Sequence, residues 1–232
     1  MWILVGTTVV AFKTRLGIIV GVDSLVSSRP EIGPDGTAGD IVSRNYNKYF
    51  EISHNCACGM AGNLGKAETV LERARTQWRF KVNYNNVTET PAEIAKYLQH
   101  QMQSVQPFGG PASNVDIITA GFDDNQVASI YTTNAKTCLP EDKEAIGSGA
   151  VRARVILNEE GAYDYEMSED AAKNLARRAI TYAGLGDVCT GGNSIKVFLI
   201  TYHGMKKLSD DTYEELVKLY YGAGPMEVDK PQ

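Results

Sequence analysis

A chain of 232 residues that is 43% hydrophobic carries enough apolar mass for a sizeable core, in one large domain or two small ones. Its 23 Lys plus Arg against 28 Asp plus Glu leave a net charge of −5, with no basic run to neutralise a nucleic-acid backbone or an anionic lipid surface. The longest apolar stretches, Gly17 to Val22 and Ile195 to Ile200, fall far short of the ~20 residues a transmembrane helix needs. Nucleic acid and membranes are therefore not expected partners.

The leader Met1 to Gly6 is apolar, lacks a basic n-region and is too short for a secretory signal. Thr7 to Lys13 and Gly17 to Asp23 are rich in β-branched residues around a short turn, which reads as a hairpin. A Gly/Pro-rich segment, Arg29 to Gly39, interrupts the pattern before a strand pair at Ile41 to Ile52 and Cys56 to Ala61. From Leu64 the period becomes helical through Ala67, Leu71, Ala74 and Trp78. Thr90-Pro91-Ala92-Glu93 is a capping box with Pro at the first helical position, and Ile94, Leu98, Met102 and Val105 carry the stripe on towards Pro107.

Strands resume at Val115 to Phe122 and Gln126 to Thr132, joined by a turn at Asp123 to Asn125. Helical pattern follows Gly147-Ser148-Gly149 and again the cap Ser168, through Ala172, Leu175, Ala179 and Ala183. A last strand at Ile195 to Thr201 and a helix capped near Ser209 complete the expected elements, with a polar tail from Gly222 to Gln232 expected to be disordered. Paired helices between antiparallel hairpins argue for stacked sheets with helical layers outside rather than a doubly wound parallel sheet. No linker-like break divides the chain, so one domain is expected.

Several familiar chemistries find no support. His54, His100 and His203 lack partners at metal or triad spacing, and glycine turns at Gly147 to Gly149 and Gly191-Gly192 lack the residues that cradle a phosphate. Cys56 and Cys58 alternate on one strand face as small core residues, and with Cys138 and Cys189 they form no disulfide framework, so a reducing compartment is the default. Asn86-Val87-Thr88 is a formal sequon that does not shift this default. No metal and no cofactor are expected.

What remains is a Thr after a Gly at the head of a strand, ordinarily a purely structural feature. Its surroundings change that. GTTVVAFKTRLGIIVGVDS, then NKYFEI, GMAGN opening a helix, IGSGA opening another, and LARRAI followed by GDVCTGGN together resemble the proteasome β subunits of the N-terminal-threonine hydrolases, from Gly6 to about Leu216. The resemblance implies an α+β, four-layer α-β-β-α sandwich of two antiparallel sheets between helical layers. It also implies a short propeptide at 1–6, a single β-type domain at 7–221 and a tail at 222–232.

Carried over by motif, Thr7 matches the nucleophile, Asp23 its nearby acid and Lys48 the lysine beside it, with Ser148, Asp187 and Thr190 as supporting polar groups and Gly62 as oxyanion donor. The chemistry is coherent on its own terms. A threonine hydroxyl needs an adjacent base, and the one base always adjacent is its own α-amine, with an unperturbed pKa of about 7.7 to 8.0. That amine exists only once the Gly6–Thr7 bond is cut, and in the family Thr7 itself makes the cut.

The pocket for the residue before the scissile bond matches Val26, Tyr46, Phe50, Met60, Leu64 and Glu68, with Ser27 beside it; most are apolar, which resembles the chymotrypsin-like class. LARRAI and SDDTYEEL also resemble that class. Glu68 instead favours a tryptic preference, the second reading. Three features depart from the family: a longer Asp23 to Lys48 spacing with an excess at Arg29 to Thr37, Thr190 in place of Ser, and Leu64 in place of a small residue. The expected function is threonine endopeptidase activity on unfolded polypeptide, within stacked heptameric rings of β- and α-type subunits in the cytoplasm and nucleus. A non-catalytic ring subunit and, more remotely, a stand-alone amidohydrolase are the alternatives.

Overall fold

A computed structural model describes residues 3–5, 7–29, 41–85, 90–104 and 115–222. The first part of the chain supplies β1 (Ile3–Val5), β2 (Thr8–Thr14), β3 (Gly17–Asp23), β4 (Val26–Arg29), β5 (Ile41–Ser43), β6 (Tyr49–Glu51) and β7 (Cys56–Gly62), followed by helices α1 (Leu64–Asn85) and α2 (Pro91–Ser104). Strands β8 (Val115–Phe122), β9 (Ala128–Thr133), β10 (Cys138–Glu141) and β11 (Lys143–Gly147) come next, then α3 (Ala150–Leu157) and α4 (Glu169–Gly184). The hairpin of β12 (Ser194–Thr201) and β13 (Gly204–Thr212) leads into α5 (Tyr213–Tyr221).

Two five-stranded antiparallel sheets, ordered β11-β2-β3-β12-β13 and β10-β9-β8-β7-β6, pack face to face, and a small third sheet is ordered β1-β4-β5. Period-two alternation on β2 explains the layering. Val9 and Ala11 face the second sheet, among Ala57, Ile118 and Ala120, while Val10 and Phe12 face Ala176, Ala179 and Ile180 of α4. On the far side Leu64, Leu71 and Trp78 of α1 and Ile94 and Leu98 of α2 bury against Cys58, Met60 and Ile117. Helix, sheet, sheet, helix is thus the observed order, as the resemblance implies.

Local signals explain most boundaries. The capping box forms as expected, with Glu93 N–H donating to Thr90 Oγ1 at 3.2 Å and Thr90 N–H donating back to Glu93 Oε2 at 3.3 Å. Ser168 Oγ accepts from Ala171 N–H at 3.3 Å and starts α4. Cys56 and Cys58 are buried on one strand and form no disulfide, as small core residues.

Three expectations need correction. Ile41 to Ile52 is not one strand: β5 pairs with β4 in the small sheet, whereas β6 pairs with β7, so the chain changes sheet between Ser43 and Tyr49. Ser209 is not the cap of the last helix. It lies within β13, held to β12 by the Gly204 turn, and α5 starts after Thr212. Strands β1, β4, β10, β11 and β13 answer to none of the expected elements. The Gly6 residue, most of the Arg29 to Gly39 segment, the sequon at 86–88, Val105 and the tail beyond Gly222 lie outside the described residues.

Candidate active site

The site grows from the N-terminal end of β2 and its neighbours. Asp23 ends β3, one strand over from Thr8, and both its side chain and that of Lys48 are wholly buried. Lys48 Nζ donates to Asp23 Oδ1 at 2.8 Å and also to the Leu25 carbonyl. Asp23 accepts three backbone N–H groups besides: Thr8 to Oδ1 at 2.9 Å, and Gly191 and Leu25 to Oδ2 at 2.9 and 3.3 Å. Burial draws the Lys48 ammonium below its ordinary value and the Asp23 carboxyl above its own, while their contact and the N–H donors oppose it. Each partner therefore makes the other's charge tolerable.

Ser148 sits in the tight turn between β11 and α3. Its hydroxyl accepts from the Thr7 backbone nitrogen and donates to the Thr7 carbonyl, both at 3.3 Å. Gly147 makes this approach possible: its φ is +97°, and a Cβ there would fall 2.1 Å from the Thr7 carbonyl oxygen. From the opposite side, Thr190 Oγ1 donates to Asp187 Oδ2 at 2.6 Å and lies 2.7 Å from Thr8 Oγ1. Asp187 also accepts the Cys189 N–H at 3.1 Å. Asp187 and Thr190 thus brace the residue after Thr7 through Thr8.

Gly62 closes β7 at φ +84°, a conformation that strains any residue with a Cβ. The residues expected as pocket walls lie close together. Val26, Met60 and Leu64 are fully buried in one cluster, with the half-buried Tyr46 and Phe50 packed against it and the Arg75 guanidinium 4.6 Å from the Phe50 ring centroid. Glu68 is exposed one helical turn beyond Leu64 and accepts a hydrogen bond from the Tyr46 hydroxyl. Ser27 Oγ donates to Cys189 Sγ at 3.4 Å, tying β4 to the 185–192 turn. A cavity of about 610 Å³ lined by Leu25, Asp187, Thr190, Gly191 and Tyr213 borders that turn, and the Met60 and Leu64 walls form no part of it.

A family model described as proteasome subunit matches residues 3–200. The chain belongs to the proteasome subunit family. It is 29% identical to proteasome subunit beta type-5-A of Arabidopsis thaliana over 95% of this chain and 75% of the relative. The beta type-5 subunit of Dictyostelium discoideum is 27% identical over 97% and 77%, and proteasome subunit beta 2 of Thermococcus gammatolerans 29% over 87% and 94%. The motifs read as those of a proteasome β-type subunit of the chymotrypsin-like class are borne out by these matches.

Within this proteasome-family chain, Thr7, Asp23, Lys48, Ser148, Asp187 and Thr190 come from five separate stretches and meet around one strand end. Sequence reasoning missed Thr8, the Leu25 carbonyl and the Gly191 N–H. Thr8 had a signal, its adjacency to Thr7, whereas the two backbone groups have none. The Thr190 hydroxyl gives a direct test. Thr190→Val strands the Thr8 and Asp187 partners and is expected to destabilise the subunit by about 1–3 kcal/mol, whereas Thr190→Ser keeps the hydroxyl and stays within about 1 kcal/mol of the parent. Denaturant midpoints of the two variants check this.

Proposed function

We propose that the chain is a catalytic β subunit of a proteasome core particle, a threonine-type endopeptidase cleaving unfolded polypeptide after hydrophobic or aromatic residues. The observation that carries the reading is the buried Lys48–Asp23 pair, hydrogen-bonded through Asp23 Oδ1 to the residue following Thr7. An enzyme that dispensed with catalysis would gain nothing from keeping two charges out of water there.

Once the bond before Thr7 is cut, its nitrogen becomes a free amine beside Ser148 Oγ. The amine takes the Thr7 hydroxyl proton as the oxygen attacks the substrate carbonyl, and then gives that proton to the departing peptide nitrogen. The Lys48 positive charge favours a neutral amine and a developing alkoxide next to it. The Gly62 N–H takes the role of oxyanion donor, and water then hydrolyses the acyl ester to restore Thr7. Cutting the preceding bond uses the same attack on the Gly6 carbonyl: Thr7 Oγ forms an ester with Gly6 as the amide C–N bond breaks and its nitrogen takes up the hydroxyl proton, and water then hydrolyses that ester to release residues 1–6 and the free Thr7 amine. Ser148, Asp187 and Thr190 position Thr7 and Thr8 throughout.

The segment before Thr7 supports this reading in a second way. Strand β1 pairs antiparallel with β4, Val5 opposite Ser27, and comes close to β7 and α1, which bear Met60, Leu64 and Glu68. It lies where an extended substrate would add as a strand beside Ser27. An uncut chain is therefore inactive twice over, lacking the amine and having its binding edge filled. The working form is a ring of β- and α-type subunits, in the cytoplasm and nucleus.

Intact mass of the assembled particle, combined with a threonine-directed covalent inhibitor and a fluorogenic peptide with an aromatic residue before the scissile bond, tests the whole scheme. Loss of residues 1–6, label on Thr7 and matching loss of aromatic cleavage are expected. An active, inhibitable subunit that retains residues 1–6 would overturn it.

A further inference from the structure

The residues expected to line the specificity pocket include a carboxylate that their otherwise apolar character does not explain. Glu68 sits on α1 at the position after Leu64 on the same helical face, and among the described residues no Lys or Arg lies within ion-pair distance of it. Its partner is Tyr46. The Tyr46 backbone N–H donates to the Ser24 carbonyl at 3.0 Å, which anchors the residue beside the Asp23 strand end, and its half-buried ring packs on the Met60 and Leu64 cluster. From there the hydroxyl reaches across to donate to Glu68 Oε1.

Resting on the endopeptidase reading above, we propose that Tyr46 is a specificity-determining residue: its hydroxyl ties Glu68 to the exposed edge of the pocket, so that a pocket containing an acid reads as apolar. Two physical points support this. A carboxylate with one oxygen committed to a hydroxyl and the residue in contact with water is a poor counter-ion, because an entering ammonium or guanidinium must share the acceptor and is screened by solvent. The direction of the tie is also fixed, since burial and then the hydrogen bond to Glu68 hold the Tyr46 phenol above its ordinary value and keep it the donor. Without the hydroxyl, Glu68 is free to turn about its flexible stem towards a basic side chain in the pocket.

Tyr46→Phe removes the hydroxyl and keeps the ring, so the wall stays filled. The measurement is the ratio of kcat/KM for two fluorogenic peptides that differ only in Arg or Phe before the scissile bond, on assembled particles whose Thr7 sites have been counted with a covalent inhibitor. Tyr46→Phe is expected to raise the Arg-to-Phe ratio by about tenfold. Glu68→Gln alone should change it by less than about threefold, and the double variant should return to the Glu68→Gln value. A ratio unmoved by Tyr46→Phe, a rise that persists in the double variant, or a large fall from Glu68→Gln alone each overturns the proposal. Absence of any Thr7-dependent cleavage in the unsubstituted particle is a different result, and it removes the endopeptidase reading on which the proposal stands.

Discussion

Thr7→Ala is expected to lower the subunit's own peptide hydrolysis by at least about 10³-fold, because it removes both the attacking oxygen and the means of freeing the amine. The variant should keep residues 1–6, visible as the uncut mass, and should take no label from a threonine-directed inhibitor. Thr7→Ser retains an attacking hydroxyl and should lose residues 1–6 while turning over more slowly. Mapping label and mass on this subunit matters, since sister subunits in a ring can cleave the same reporter peptide. Full labelling or cleavage assigned to a Thr7→Ala subunit would be incompatible with the mechanism.

Lys48→Met carries the second large effect. It leaves the Asp23 carboxylate fully buried with only the Thr8, Leu25 and Gly191 N–H donors, and removing one partner of a buried pair typically costs about 3–5 kcal/mol. Burial already raises the Asp23 carboxyl, and losing the cation raises it further. The sign then follows: a group whose folded-state value lies above its unfolded one favours the fold below the unfolded value and loses that contribution as pH rises through the folded value. The unfolding midpoint of Lys48→Met should therefore fall, relative to the parent, as the pH is raised from acid towards neutral. Adding Asp23→Leu should recover much of the stability and none of the turnover, which separates the pair's part in folding from its part in catalysis. Recovery of turnover in that double variant would remove Lys48 and Asp23 from the chemistry.

The parts of the fold that could be read from the chain are those whose determinants are local. Thr90 to Glu93 carries its own cap, Gly17 to Asp23 its own β-branched run, and Ala172 to Ala183 its own stripe, and each forms as expected. The misread parts depend on distant partners. Strand β13 is polar and lies at a sheet edge, so nothing within SDDT distinguishes a strand end from a helix cap until β12 is placed beside it. Residues 41–51 look like one extended run because the switch from β4 to β7 as partner is a tertiary event. The same division holds at the site. Thr7, Asp23 and Lys48 stand out only as a set spread along the motifs, while the Leu25 carbonyl and Gly191 N–H that complete the pair belong to the backbone, which no residue type announces.

Strand β1 on β4 has a consequence for the life of the subunit before it joins a ring. Without β1, the side of β4 facing away from β5 would be a bare strand edge, a template on which any passing chain can pair and aggregate. By carrying its own short strand there, a newly made subunit keeps that edge of β4 paired, while β5 closes its other side. If the strand is released only after neighbouring subunits enclose the site, the edge is uncovered solely inside a chamber, where the chains that pair with it are the ones to be destroyed. On the mechanism proposed above, one cut before Thr7 would end that self-protection at the moment when adhesion becomes useful.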